Sequence, residues 1–321
     1  MFRLKLVPDN TKIGFIGKRR IAYVLSGLAV IASITVFAIH GLNYGIDFRG
    51  GIMLEIATRE PADLGAMRTT LGKLKLGDVA IQEFGSPNDV LIRIERQPGD
   101  ATAQNAAAKK VQAALSAELG DGVHYRRIEF VGPKVSSELI EKGILSVVLA
   151  VLAVLVYIWF RFEWQFGVGA VIALIHDVTL TIGFFSVTGL EFNLSIVAAI
   201  LTIVGYSLND TVVVYDRVRE NLRKFKKMPL PELLDLSMNE TLSRTIMTSL
   251  TTVLALLALL IFGGEVIRGF TAAMIWGIFV GTYSSIYIAS PLLLFLKIER
   301  GSGGAPVAKT VAKTAAKTEK A

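Results

Sequence analysis

Hydrophobic and polar positions fall into two regimes along these 321 residues. Six runs of about 18 or more mainly apolar residues, at 21–40, 143–160, 166–190, 194–215, 245–262 and 268–296, are each long enough to cross a hydrocarbon core about 30 Å thick. Between the first two lies a stretch, 41–142, with 13 basic and 14 acidic residues and no long apolar run. Its shorter patterns predict strands at 52–56, 79–84, 90–95 and 123–131. They also predict a helix at 61–76 opened by Pro61, and an alanine-rich helix at 101–119 ended by Gly120. Gly85-Ser86-Pro87-Asn88-Asp89 reads as the turn between the middle strands. The order βαββαβ is that of a ferredoxin-like sandwich. The expected fold is an α-helical polytopic membrane protein of six transmembrane helices, with one α+β ferredoxin-like external domain between helices 1 and 2.

The division of the chain follows. Residues 1–20 form a cytoplasmic segment, 21–40 the first span, 41–142 the external domain and 143–298 a five-helix transmembrane domain. A helix at 136–142 leads into the second span. A cytoplasmic loop, 216–244, separates the fourth and fifth spans and carries an amphipathic surface helix over 229–243. The Gly-, Ala-, Lys- and Thr-rich tail, 299–321, has no apolar pattern and reads as disordered. The first apolar run is too long for the core of a signal peptide and reads as an uncleaved span.

Charge sharpens this picture. The formal net charge of +7 comes largely from Lys and Arg beside the spans, so it reports membrane topology and lipid contact rather than nucleic acid. The turn at 191–193 holds no Lys or Arg, whereas Arg217, Arg219, Arg223, Lys224, Lys226 and Lys227 crowd the next one. Both termini are therefore expected in the cytoplasm. With no Cys, no P-loop and three scattered His residues, the chain offers no metal site, no cofactor motif and no enzyme signature. Work done by it must draw on a gradient or a partner.

The candidate chemistry is a set of polar residues inside the spans. A carboxylate at a helix centre costs about 2.5–3.5 kcal/mol on insertion scales. Asp210, beside Asn209, lies about 24 Å along the fourth span from Leu194, in its cytoplasmic third. Tyr206, Asp210 and Arg217 share one helical face. Arg244 opens the fifth span, at a depth from which its side chain can reach Asp210, and Thr248 continues the stripe. His176 and Asp177 interrupt the third span near mid-depth. Asp210 can be read as a proton relay or as one half of a static bridge, and His176-Asp177 as a relay or as interhelical glue. Gly277 and Gly281 read as a close helix-packing motif.

At Gly45-Ile46-Asp47-Phe48-Arg49-Gly50-Gly51 the chain resembles the SecF family of bacterial protein-export membrane proteins. The pattern returns at His176-Asp177, at Gly205-Tyr206-Ser207-Leu208-Asn209-Asp210-Thr211 running on to Asp216-Arg217-Val218-Arg219-Glu220-Asn221, and at Thr241-Leu242-Ser243-Arg244-Thr245. The resemblance covers roughly residues 15–298 and includes the order of one span, an external domain and five spans.

It implies an accessory subunit of the Sec translocase in the bacterial inner membrane. Such a subunit acts with SecD, the SecYEG channel and SecA to draw on the proton-motive force at late steps of preprotein export, with YajC and YidC as associates. It places the proton-pathway carboxylate on Asp210 and its partner on Arg244, with Asn209 and Asp177 on the same path and Tyr206, Thr248 and His176 around it. Gly45, Asp47, Phe48, Gly50 and Gly51 then form a structural exit from span one. The competing readings are a half-transporter of the same superfamily for a small solute or lipid, and a scaffold without transport chemistry.

Overall fold

The computed structural model describes residues 8, 11–99, 101–296 and 298. The expected disordered tail and most of the first ten residues lie outside these. In chain order the elements are α1 (Arg19–His40), β1 (Asn43–Tyr44), α2 (Ile46–Arg49), β2 (Gly51–Thr58), α3 (Leu64–Gly72), β3 (Val79–Phe84), β4 (Ser86–Ile94), α4 (Ala101–Leu119) and β5 (Val123–Val131). There follow α5 (Pro133–Arg161), α6 (Trp164–Thr188), β6 (Glu191–Phe192), α7 (Leu194–Lys224), α8 (Leu230–Phe262) and α9 (Arg268–Ser284). A π-helical turn, Ser285–Ala289, then leads into α10 (Ser290–Leu292).

Six helices are long and apolar enough to cross a membrane, and they divide by burial. The most apolar windows of α1, α5 and α8 are only 11% buried, against 50% for α6 and α7 and 61% for the segment from α9 onward. The outer three therefore present Leu, Ile and Val to lipid, and α6, α7 and α9 form the centre. Small residues set the close approaches, as expected where lipid removes the hydrophobic drive between helices. A Cβ at Gly277 would collide with the Ile203 side chain, and one at Gly281 with Ser207, so these two glycines bring α9 against α7.

Between α1 and α5 the chain builds a four-stranded antiparallel sheet in the order β3-β4-β2-β5 with α3 and α4 against it, the ferredoxin-like arrangement. β2 is buried over Gly51–Ile56, because Ile52, Leu54 and Ile56 meet Met67, Leu71, Val111 and Leu115 on the helix side. Each such side chain contributes about 1.5–3 kcal/mol through removal from water.

Local details differ from the sequence expectation. The turn expected over 85–89 is a tight reversal at Gly85, and β4 already begins at Ser86. Pro87 is accommodated because β4 there outruns β2, whose pairing starts at Asp89. α3 starts later than Pro61 because Asp63 caps it, accepting from the amides of Gly65 and Ala66 at 2.9 and 3.0 Å. The short helix expected at 136–142 is the first part of a single helix, α5. Most of the loop expected over 216–244 is helical too. α7 runs on to Lys224, and α8 joins the surface helix to the fifth span. Those parts pack on each other through Leu233, Leu234, Met238 and Val218, so the apolar side of the expected surface helix is core.

Candidate functional site

Two buried carboxylates occupy the centre of the bundle. Asp210 projects from α7; its Oδ1 accepts a hydrogen bond from Thr245 of α8 at 2.6 Å, and its Oδ2 one from Ser285 at 2.5 Å. Asp177 projects from α6; its Oδ2 accepts from Ser207 of α7 at 2.5 Å and from Ser284 of α9 at 2.7 Å. Its other oxygen lies 2.8 Å from Nδ1 of His176. The two sites share elements: Ser207 sits one turn before Asp210, and Ser284 is the chain neighbour of Ser285.

The backbone explains how neighbouring serines reach different carboxylates. At Ser285 the α-helix widens into a π turn, a feature often found at functional sites. The freed carbonyls are satisfied by side chains, Ser290 Oγ donating to Ser285 O at 2.7 Å and Tyr215 Oη to Ala289 O at 3.0 Å. Around His176 the polar chain continues to α1. The imidazole stacks on Tyr283, whose hydroxyl is 2.9 Å from Ser26 Oγ. His176 Nε2 and Tyr206 Oη are among the buried polar atoms that find no hydrogen-bond partner among the described residues.

The predicted residues sort differently from the sequence expectation. Arg244 follows the depth argument and is close enough for its charge to act on Asp210, but it is exposed and no ion pair joins the two among the described residues. Thr245, its neighbour, supplies the contact instead. Thr248 bonds to the Thr245 carbonyl at 3.0 Å and does not touch Asp210. Asn209 is exposed, pointing away from the buried pair. Arg217, expected on the Asp210 face, pairs with Glu220 and Glu240 beyond the apolar region. Ser284 and Ser285 lie outside the residues expected from the sequence; the only signal for them there is a Ser-Ser pair, next to Tyr283, inside a span.

The Gly45–Gly51 motif lies at the other end of α7 and is a clasp, not a bare turn. β1 pairs in parallel with β6, Asn43 opposite Glu191 and Tyr44 opposite Phe192. Asp47 Oδ2 accepts from the amide of Leu194 at 2.8 Å and so caps α7, whose own preceding residue, Asn193, makes no side-chain cap. Phe48 lies against the rings of Tyr44 and Phe192. Gly51, at φ +124°, leaves no room for a Cβ beside the Ile94 carbonyl. From the sheet domain Arg93 donates to Asn43 Oδ1 and the Tyr44 carbonyl, each at 3.3 Å, and lies 3.7 Å from Glu191. Burial pushes the Glu191 carboxyl above the ordinary glutamate range, with Arg93 opposing.

The bundle centre brings together carboxyl and hydroxyl groups, a chemistry able to exchange protons. Each carboxylate has hydroxyl donors that can also accept, supplied from adjacent residues, so the two polar clusters meet at Ser284 and Ser285. Among the described residues no group of three or more His, Asp or Glu could hold a metal ion.

Comparison with known proteins bears on the whole chain. Residues 111–299 match the family described as protein export membrane protein SecD/SecF, C-terminal, and residues 35–62 match the SecD/SecF GG motif. The protein translocase subunit SecF of Rickettsia rickettsii is 46% identical over 293 residues, 91% of this chain and 94% of that one. SecF of Rhodobacter capsulatus is 47% identical over 311 residues, covering 93% of each. Among solved structures, the crystal structure of SecDF, a translocon-associated membrane protein from Thermus thermophilus, superimposes with a TM-score of 0.81 at 36% identity over 90% of this chain. A SecDF structure in a super-membrane-facing form gives 0.64 at 32% identity over 97%. This chain spans 39% and 40% of the length of those two SecDF chains.

Proposed function

Because the chain belongs to the SecD/SecF family of protein-export membrane proteins, we propose that it serves as the SecF-type, multi-pass subunit of the Sec translocase in the bacterial inner membrane, coupling proton movement to preprotein export. It associates with a SecD-type chain and the Sec translocon. The SecDF neighbours support that pairing, since this chain corresponds to well under half of each. SecYEG, SecA, YajC, YidC and the unfolded preprotein are the remaining partners of this reading. The Lys/Arg distribution supports cytoplasmic termini and a periplasmic sheet domain. The subunit performs no bond chemistry of its own.

The observation that carries the proton role is Asp210. It is an acid at intramembrane depth, buried and held by hydroxyls from two other segments, with Asn209 and Arg244 exposed beside it. Exposed polar groups at that depth suit a seam closed by a second membrane chain, the place where such transporters keep their ion paths. Asp177, with His176, is the second station on this path, and Ser284-Ser285 the junction between the two.

The test is preprotein translocation in spheroplasts whose only SecF is this chain, with and without an uncoupler. Wild type should accelerate export only when the gradient is present. Asp210→Asn, still copurifying with its SecD-type partner, should abolish the acceleration. Full gradient-dependent acceleration by Asp210→Asn would show that the proton route lies elsewhere.

A further inference from the structure

The run Asp216–Asn221 belongs to the pattern by which the family was recognised, yet the proton reading leaves it without a task. Its side chains, with the α5–α6 turn, enclose a cleft of about 410 Å³ lined by Arg161, Asp216, Arg219, Glu220, Arg223 and Lys224. We infer that this cleft is a binding site for the headgroup of an anionic phospholipid.

Three features of the cleft carry the inference. First, it is built to hold excess positive charge. Arg161 Nη2 donates to both oxygens of Asp216, at 2.8 and 2.9 Å, and Arg219 Nη1 donates to the Arg161 carbonyl at 3.1 Å. Both guanidinium carbons also lie over the buried Phe162 ring, 5.0 and 5.5 Å from its centroid. Two like charges are thereby fixed around one ring. Arg223 follows Arg219 by one helical turn and makes no ion pair among the described residues. Of the two acids, Asp216 offsets Arg161, and Glu220 pairs with Arg217, which Glu240 also holds, so the four cations and two acids of the lining leave a net charge of +2. Such a set suits a phosphodiester, which accepts several charge-assisted hydrogen bonds at once.

Second, the cleft sits at headgroup level. The apolar part of α5, residues 143–160, spans about 27 Å at 1.5 Å per residue and ends directly at Arg161.

Third, the surface beside it is dressed for acyl chains. Trp159 and Phe160 are 80% and 90% exposed and Trp164 is 62% exposed, an aromatic rim on both sides of the turn that supplies Arg161. A soluble phosphate or an acidic peptide would match the charge but leave this rim unexplained. A basic pocket between helices beside an aromatic belt fits a lipid headgroup.

Native mass spectrometry of the full chain, released from detergent with its membrane partner, tests this with phosphatidylglycerol, phosphatidylcholine and inorganic phosphate as probes. Phosphatidylglycerol should be retained in preference to phosphatidylcholine. Arg219→Gln with Arg223→Gln should weaken its retention about thirtyfold, from the loss of two cations at the surface. Trp164→Ala should weaken it several-fold by removing the rim while leaving every charge in place. Lys227→Gln, a cation of the same basic stretch outside the cleft, should leave retention unchanged. Equal retention of the two lipids, an equal loss in Lys227→Gln, or displacement by inorganic phosphate with no effect of Trp164→Ala would each overturn the assignment. Because the readout is lipid retention, it is independent of the Asp210 export assay.

Discussion

Ser284 and Ser285 are adjacent in the chain, yet their hydroxyls serve different acids, the first bonding to Asp177 at 2.7 Å and the second to Asp210 at 2.5 Å. The π turn that begins at Ser285 lets both project into the bundle centre. A movement that repacks this turn therefore alters the donors of both carboxylates together.

Coupling between the two acids is measurable. Ser284→Ala should destabilise the detergent-solubilised protein by about 1–3 kcal/mol, since a buried acceptor loses a hydroxyl donor. In the Asp177→Asn background the same change should cost less, with an interaction energy of about 0.5–3 kcal/mol in a double-mutant cycle. Strict additivity would mean that Ser284 and Asp177 do not act together. Ser285→Ala should in addition slow gradient-dependent export, whereas Ser249→Ala, whose hydroxyl meets Thr282 at 2.8 Å and neither acid, should leave its rate near wild type.

Asp47 caps a helix from 147 positions away in the chain. Asp47→Ala should loosen the first turn of α7, costing about 1 kcal/mol, and raise hydrogen exchange at Leu194. Asp47→Asn keeps an acceptor and should retain most of the protection. If both variants exchange like wild type, the cap contributes nothing.

Glu191 should make the docking of the sheet domain sensitive to pH. Burial raises its folded carboxyl above the unfolded value of 4.5, so the folded state binds the proton more tightly. The contribution is then fully present below about pH 4.5 and fades as pH rises through the raised folded value. Hydrogen exchange at Gly45, whose amide bonds to Phe192 O at 2.9 Å, should show protection falling over that window after correction for intrinsic rates. In Glu191→Gln the protection should be flat.

Gly51→Ala should cost more than Gly50→Ala. Both glycines have positive φ and both would turn a Cβ toward a backbone carbonyl, but at Gly51 the Ile94 oxygen would lie 2.5 Å away, whereas at Gly50 the Val131 oxygen would lie 3.2 Å away. Strain of this kind costs about 1–3 kcal/mol, and thermal unfolding of the two variants should rank them.

The pattern along the chain carried the architecture because its signals are strong and local. Runs of apolar residues mark spans, and alternating runs punctuated by Gly and Pro mark the sheet domain. The same locality is why the helix ends were missed. Asp216, Arg217 and Glu220 look like loop residues one by one, but in the fold they are the solvated end of α7, held by Arg161 and Glu240. In the site, Asp210 and Asp177 were legible because a carboxylate in an apolar run is expensive. Their actual donors were not, because Ser and Thr are cheap inside a helix, bonding back to carbonyls four residues earlier as Thr181 and Thr202 do here. Arg244 was legible as a partner by depth, and which way it faces depends on helix rotation, which depth counting does not contain.

α7 runs unbroken for 31 residues, about 46 Å, from its cap at Asp47 past Asp210 to the basic cleft. A rod of that kind stores no slack. On the proposed proton role, a rotation of α7 begun at Asp210 would reach both the clasp under the sheet domain and the cleft at its other end. A flexible insertion between Leu194 and Asp210 should therefore leave Asp47, Asp210 and Arg219 chemically unchanged and still uncouple the machine, as a clutch does.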